Sequence, residues 1–220
     1  MTEKVLHIID SLKSGIPEDK EVTVGFDGFV DRIVKVIKSV DDKNMFTYFG
    51  EISEFGAYLM DKGGKSCSNE LDEQIVKIGG NMPITANAIG RMGAKVNCIG
   101  AMGYPHKHEI FHQMSPNCKL YSVAMPGYCT ALEFSDGKVM LASNNGINSM
   151  TWWTITDVLC LNRLIQLFSE SEVIGMFNWS EINCITSIWE GILEDILPHR
   201  KPDKEQSMLF DLSDCSKRDP

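Results

Sequence analysis

No window of this 220-residue chain approaches the ~18 uninterrupted apolar residues that a membrane-spanning helix requires. Its opening residues, MTEKVLHIIDSLKSG, hold too short an apolar run for a secretory signal and include Glu3. Seven cysteines stand at 67, 98, 118, 129, 160, 184 and 215; no pair has C-x-x-C spacing, and the number is odd. That usage fits thiols serving as small apolar side chains in a reducing compartment, so a cytoplasmic location is expected. Basic excess is missing as well. A net charge of −9 and a pI of about 5.0 argue against a general nucleic-acid-binding surface, though not against a local basic pocket for a phosphate. There is no internal repeat and no low-complexity segment. The expected partners are small molecules, with neither nucleic acid nor membrane among them.

What is present is an ordinary globular composition, 43% hydrophobic and 23% charged, enough to bury a core. The most informative stretch is GGNMPITANAIGRMGAKVNCIGAMG, Gly79 to Gly103, with six glycines in 25 residues. Ile84, Ala88 and Ile89 recur at helical spacing, Gly93 supplies a helix stop, and Val96, Cys98 and Ile99 form a short strand before Gly100. Glycine at a strand-to-helix junction lets backbone approach a ligand, and the N–H groups opening the helix face the same space. The plainer reading is that these glycines only end secondary elements.

Upstream, EVTVGFD (21–27) reads as a buried strand, and GFDGFVD continues it. Asp27 and Asp31 therefore lie just past a first parallel strand, where open α/β sheets bind ligands and where carboxylates can accept hydrogen bonds from sugar hydroxyls. The competing reading makes Asp27 a turn cap and Asp31 a solvated charge. Two strands are expected within 33–48, joined by an Asp-Asp-Lys-Asn turn. A helix follows over 51–60, then a strand over 70–78. Asp136-Gly137 between alternating apolar runs is a strong hairpin signal for 128–142. Glu133 sits mid-strand there, on a face left open to a cleft. Helices are expected at 5–12, 154–168 and 182–197, the last stopped by Pro198, with strands over 120–124, 172–179 and 208–212. The order is an α/β parallel sheet with helices on both faces and a small β lid.

Two motif fragments are set aside. Gly64-Lys65-Ser66 matches the end of a P-loop, but the required earlier glycine is Leu59 and a helix precedes it rather than a strand. His106, His108 and His112 come within reach of a shared face, yet no acidic ligand accompanies them, and surface histidines at a helix start are common.

Together these residues resemble the N-terminal portion of the ribokinase-like, PfkB-type carbohydrate kinases. The resemblance rests on Gly79-Gly80-Asn81 with Ala86, Gly90, Gly93, Gly100 and Gly103; on GFDGFVD; on the hairpin YCTALEFSDGKVMLASNNGIN; and on FDLSDCSKR near the end. It runs over roughly 21–220 with an insertion near 46–68. It implies a Rossmann-like three-layer α/β/α parallel sheet, one domain over 1–220 with lid strands near 33–48, 70–78 and 128–142, incomplete at its C-terminal side. The implied reaction is ATP-dependent phosphoryl transfer to a hydroxyl of a sugar or nucleoside, with ATP and Mg2+ as cofactors and a homodimer through the lid. Asp31, with Asp27 beside it, would bind acceptor hydroxyls. Gly79, Gly80 and Asn81 would wall the same sugar, and Glu133 would approach from the lid. The sequence departs from the family pattern in three ways. Ile84 stands where the family has Asn, Asp31 comes one residue later than usual after Gly25, and no glycine follows Gly191. The family's glycine-rich anion hole and general-base aspartate are thus not in this chain, which is expected to be inactive alone. Asn178 and Glu181 have the spacing of the family's metal–phosphate motif, but they precede FDLSD rather than follow it.

Overall fold

The structure, a computed structural model, describes residues 20–218; the helix expected at 5–12 lies outside them. Five strands form a parallel sheet: β1 (Glu21–Phe26), β5 (Lys95–Gly100), β6 (Cys118–Ser122), β9 (Val173–Met176) and β10 (Ser207–Phe210), in the order β10-β9-β1-β5-β6. β1 is central and covered on both sides: Val22 and Val24 are buried in one core and Phe26 in the other. Its one interior hydroxyl, Thr23, is satisfied by donating to the Leu167 carbonyl at 3.0 Å and by sharing a 2.7 Å bond with Ser171.

Chain order runs from β1 outward to β5 and β6, then returns to β9 on the other side of β1. The direction of winding therefore reverses between β1 and β9. The carboxyl ends of those two strands open onto the crevice where such sheets bind ligands.

A second sheet branches off directly after β1. β2 (Phe29–Val40) is its spine, with β7 (Gly127–Phe134) and β8 (Gly137–Ser143) on one side and β4 (Leu71–Gly79) and β3 (Phe46–Tyr48) on the other. Only one face of this sheet is dry. Val34, Val36, Leu132 and Phe134 pack with Phe49 against Ile52, Phe55 and Tyr58, carried on or beside α1 (Ile52–Asp61). The expected hairpin forms, but its two-residue turn is Ser135-Asp136; Gly137, expected in the turn, already opens β8 and pairs with Phe134.

Two cores flank the parallel sheet. On one face α2 (Asn81–Arg91) lays Met82 and Ala86 on Val22, Val24, Val96 and Cys98. On the other, Phe26, Ile99, Ile174 and Met176 meet Ile155, Leu164, Leu167, Ile185, Ile188 and Ile192. Each such fully buried side chain contributes about 1.5–3 kcal/mol before entropy is counted.

The helices depart from their expected limits for local reasons. The helix expected over 154–168 is two, α4 (Trp152–Leu159) and α5 (Leu161–Glu170), because Cys160 takes a left-handed φ of 50° between them. Thr151 and Thr154 close a reciprocal cap on α4. A four-residue helix, α3 (Asn145–Asn148), follows β8. The helix expected over 182–197 starts at α6 (Ile185–Gly191), runs on as a π-helical turn through Ile196, and tightens into a 3-10 turn that includes Pro198. β9 is shorter than the strand expected over 172–179, since Phe177 and Asn178 turn away into the crevice loop. The histidine segment is a 3-10 turn, Glu109–Gln113, in which His108 accepts a bond from the Ile110 N–H at 3.3 Å.

Candidate functional site

The crevice at the carboxyl end of β1 is built around Asp27, which is completely buried. Helix α2 begins at Gly80, which has no side chain to cap it. Asp27 does so from 54 residues earlier in the chain: it accepts the Asn81 N–H at 2.7 Å and the Met82 N–H at 2.8 Å. A third bond, 2.8 Å from the Asn178 side-chain amide, crosses the reversal point from β9 to β1. Burial raises the Asp27 carboxyl to about 6 in spite of these three donors, and the nearby Asp211 carboxylate adds to the rise.

Asp31 is placed differently. It sits on β2, in register with Lys77 of β4 and Cys129 of β7, and is half-buried. Among the described residues no group hydrogen-bonds its carboxylate. Burial raises its pKa and the charge of Lys77 opposes the rise. Both oxygens are thus left to accept from something else.

The glycine pair exists to admit these two carboxylates. A Cβ on Gly79 would stand 2.2 Å from Asp31 Oδ1, and one on Gly80 would stand 2.8 Å from Asp27 Oδ2. Gly80 also holds φ at +93°, a conformation that costs side-chain-bearing residues energy. Asn81 follows, exposed, its amide donating to Asp211 Oδ2 at 2.6 Å. Asp211 lies just past β10 and also accepts from the backbone N–H groups of Asn178, at 3.3 Å, and Ser213, at 3.1 Å. The carboxyl ends of β1, β9 and β10 and the start of α2 are therefore tied into one network.

Asp27, Asp31, Gly79, Gly80 and Asn81 thus converge as a group. Glu133 does not join them. It lies four residues beyond Cys129, the register partner of Asp31, which is about 13 Å farther along the strand. There it pairs with Lys138 at 3.1 Å and lines a cavity of about 370 Å³ with Lys35, Tyr48 and Phe49.

Asn178 and Asp211 are the members that sequence reasoning did not place. Asn178 drew attention only through its spacing to Glu181, whereas its amide serves Asp27 and Glu181 accepts from Asn144 at 3.3 Å. The available signal was positional: each stands at the end of an apolar strand. A cavity of about 760 Å³ between α4 and α6, lined by Trp152, Asp157, Glu190 and Glu194, lies against helices rather than strand ends and is not part of this site.

In chemical terms the crevice offers open oxygen acceptors on Asp31, with the Asp211 carboxylate beside Asp27 adding negative charge. Such a wall suits a neutral hydroxyl donor and repels phosphate. Among the described residues no group of three or more His, Cys, Asp or Glu could hold a metal ion.

The family model described as prokaryotic ketohexokinase matches residues 2–220. The chain belongs to the prokaryotic ketohexokinase family. It is 28% identical to the ketohexokinase of Haloferax volcanii over 223 aligned residues, which cover 99% of this chain but 59% of that protein. Solved structures carry the same ribokinase-like fold. The fructokinase of Xylella fastidiosa matches with a TM-score of 0.52 at 11% identity, over 87% of this chain and 50% of its own. The protein named Sa239 matches with a TM-score of 0.51 at 14% identity, over 86% and 53%. This ketohexokinase-family chain thus spans about three fifths of the curated relative and about half of those structures. No helix among the described residues is long and apolar enough to cross a membrane.

Proposed function

We propose that this chain carries the acceptor-binding part of an ATP-dependent sugar kinase whose acceptor is a ketohexose. One observation carries the reading: of two acids at the crevice, Asp27 is saturated by three internal donors while the Asp31 carboxylate has none among the described residues. Asp31 accepts hydrogen bonds from sugar hydroxyls. Gly79, Gly80 and Asn81 form the wall against which the sugar lies, and Asp27 holds that wall in place through Asn81, Met82 and Asn178. Glu133 belongs to the lid, outside the contact set.

In the complete reaction the acceptor hydroxyl oxygen forms a bond to the γ-phosphorus of ATP. The bond from that phosphorus to the β,γ-bridging oxygen breaks, ADP leaves with the electron pair, and the hydroxyl proton passes to a base. This chain supplies acceptor positioning, which lowers the barrier by fixing the attacking oxygen. No glycine follows Gly191, so it offers no glycine-rich anion hole there. The 220-residue chain alone is accordingly expected not to phosphorylate sugars.

Calorimetric titration with D-fructose tests the binding half. Wild type is expected to bind, and Asp31→Ala to abolish binding with little change in thermal midpoint, since no group among the described residues hydrogen-bonds the Asp31 carboxylate. Equal binding by wild type and Asp31→Ala would overturn the assignment. Turnover of ATP and fructose by the isolated chain would overturn the division of labour.

A further inference from the structure

Away from the crevice, the cavity of about 760 Å³ between α4 and α6 falls within the roughly 300–1,000 Å³ of small-molecule sites. It shares no residue with the acceptor crevice. Four carboxylates line it: Asp157 from α4, Glu190 from α6, and Glu194 and Asp195 from the π-helical turn that continues α6. No Lys, Arg or His is among the lining residues. Asp157, Glu190 and Glu194 are exposed, and among the described residues none of them forms an ion pair. Negative charge lining a concave surface without a counter-charge draws cations to it.

Two indoles complete the wall. Gly191 of α6 admits the Trp152 ring so closely that a Cβ there would stand 2.4–2.6 Å from it, and the indole N–H donates to Asp195 Oδ2 at 2.8 Å. Trp152 is thus a fixed surface. Trp153 beside it is 77% exposed. An exposed ring alone means little. An exposed ring lining an acidic cavity is the pairing that recognises organic cations, the carboxylates taking the charge and the indole the apolar stem or the face of the cation. The carboxylates do not gather at one point, since among the described residues no group of three or more His, Cys, Asp or Glu could hold a metal ion. Glu190 and Glu194 stand one helical turn apart, about 6 Å along the axis, and Asp157 approaches from α4. Charge spread in this way suits a chain of ammonium groups rather than a point ion.

We propose that this cavity is a binding site for an elongated organic cation, an aliphatic polyamine whose ammonium groups pair with Asp157, Glu190 and Glu194 and whose methylene chain lies against Trp152 and Trp153. Charge complementarity selects a polycation. The indoles select one with an apolar chain, because burying methylenes against them removes apolar surface from water on both sides. The size of the cavity selects a small molecule over a folded partner, which would need on the order of 800 Å² of contact on each side. Nitrogens a few methylenes apart match carboxylates one helical turn apart. The site stands apart from sugar binding and does not depend on it.

The test is calorimetric titration of the 220-residue chain with spermidine at low ionic strength, with tryptophan fluorescence read alongside. Saturable binding with a fluorescence change is expected, and it should weaken as salt rises. Glu190→Gln combined with Glu194→Gln is expected to lower affinity at least about tenfold. Trp153→Leu is expected to lower it about threefold and to remove much of the fluorescence change. All three positions are exposed, so circular dichroism should stay native. Magnesium chloride at matched ionic strength is expected to leave the fluorescence unchanged, having no chain to lie on the indoles. Absence of saturable binding, or binding that none of the variants weakens, overturns the proposal. So does an equal fluorescence response to magnesium, since charge alone would then suffice. A Lys-rich peptide that outcompetes spermidine at the same residues also overturns it, because the occupant would then be a protein segment.

Discussion

Asp27 sets two effects against each other, and Asp27→Asn decides between them. Three donors, two of them at a helix N-terminus, favour the carboxylate; complete burial disfavours it. Burial wins here, lifting the pKa from 3.8 to about 6. Between those values the folded chain holds a proton on Asp27 more often than the unfolded chain does. Stability therefore falls as pH rises through that window, and the loss is complete above it. At roughly 1.4 kcal/mol per tenfold change in the proton equilibrium, the whole effect is about 3 kcal/mol. Asparagine does not titrate, so the stability difference between wild type and Asp27→Asn isolates this group from every other carboxylate. Urea denaturation at pH 4 and pH 7.5 is the assay. Wild type is expected to lose about 2.4 kcal/mol relative to the variant across that range, because the unfolded carboxyl is already half titrated at pH 4. A constant difference would refute the reasoning. A difference of opposite sign would show that the helix N-terminus and Asn178 outweigh desolvation, and that Asp27 is depressed instead.

Three further substitutions probe packing near the site and away from it. Gly79→Ala puts a methyl group 2.2 Å from Asp31 Oδ1 and so must displace that carboxylate; D-fructose affinity is expected to fall at least about tenfold, a loss of about 1.4 kcal/mol, read by calorimetry. Gly80→Ala meets a φ of +93° and a contact of 2.8 Å with Asp27; a loss of about 1–3 kcal/mol in urea denaturation is expected. Gly191→Ala drives a Cβ to 2.4–2.6 Å from the Trp152 indole, which also donates to Asp195 at 2.8 Å; about 1–3 kcal/mol should be lost, with a shift in tryptophan fluorescence.

The parallel sheet and the hairpin were legible because their signals are local. β1 is an apolar run closed by glycine and acid, and the Asp-Gly signal locates the hairpin to within one residue, its turn being Ser135-Asp136. The glycine pair before α2 was also readable as a close-approach site. What approaches was not readable. Asp27 and Asp31 have the same chemistry and nearly the same address in the sequence, yet one ends buried under a helix and the other open on a lid strand. Glu133 alternates correctly along β7 but stands too far from Asp31, because separation along a strand is not visible until pairing register is known. The break at Cys160 escaped notice for another reason: a positive φ at a non-glycine residue leaves no compositional trace.

By itself the sequence determined the family, the alternation of strands and helices, and the presence of paired acids and a glycine pair near a first strand's end. These depend on residue type and short spacing. Tertiary structure alone decided which acid is free. Asp27 is satisfied by donors 54, 55 and 151 residues away, brought to it by the reversal of winding between β1 and β9. A carboxylate's availability is set by the donors that reach it, and folding, rather than sequence neighbourhood, brings those donors within bonding distance.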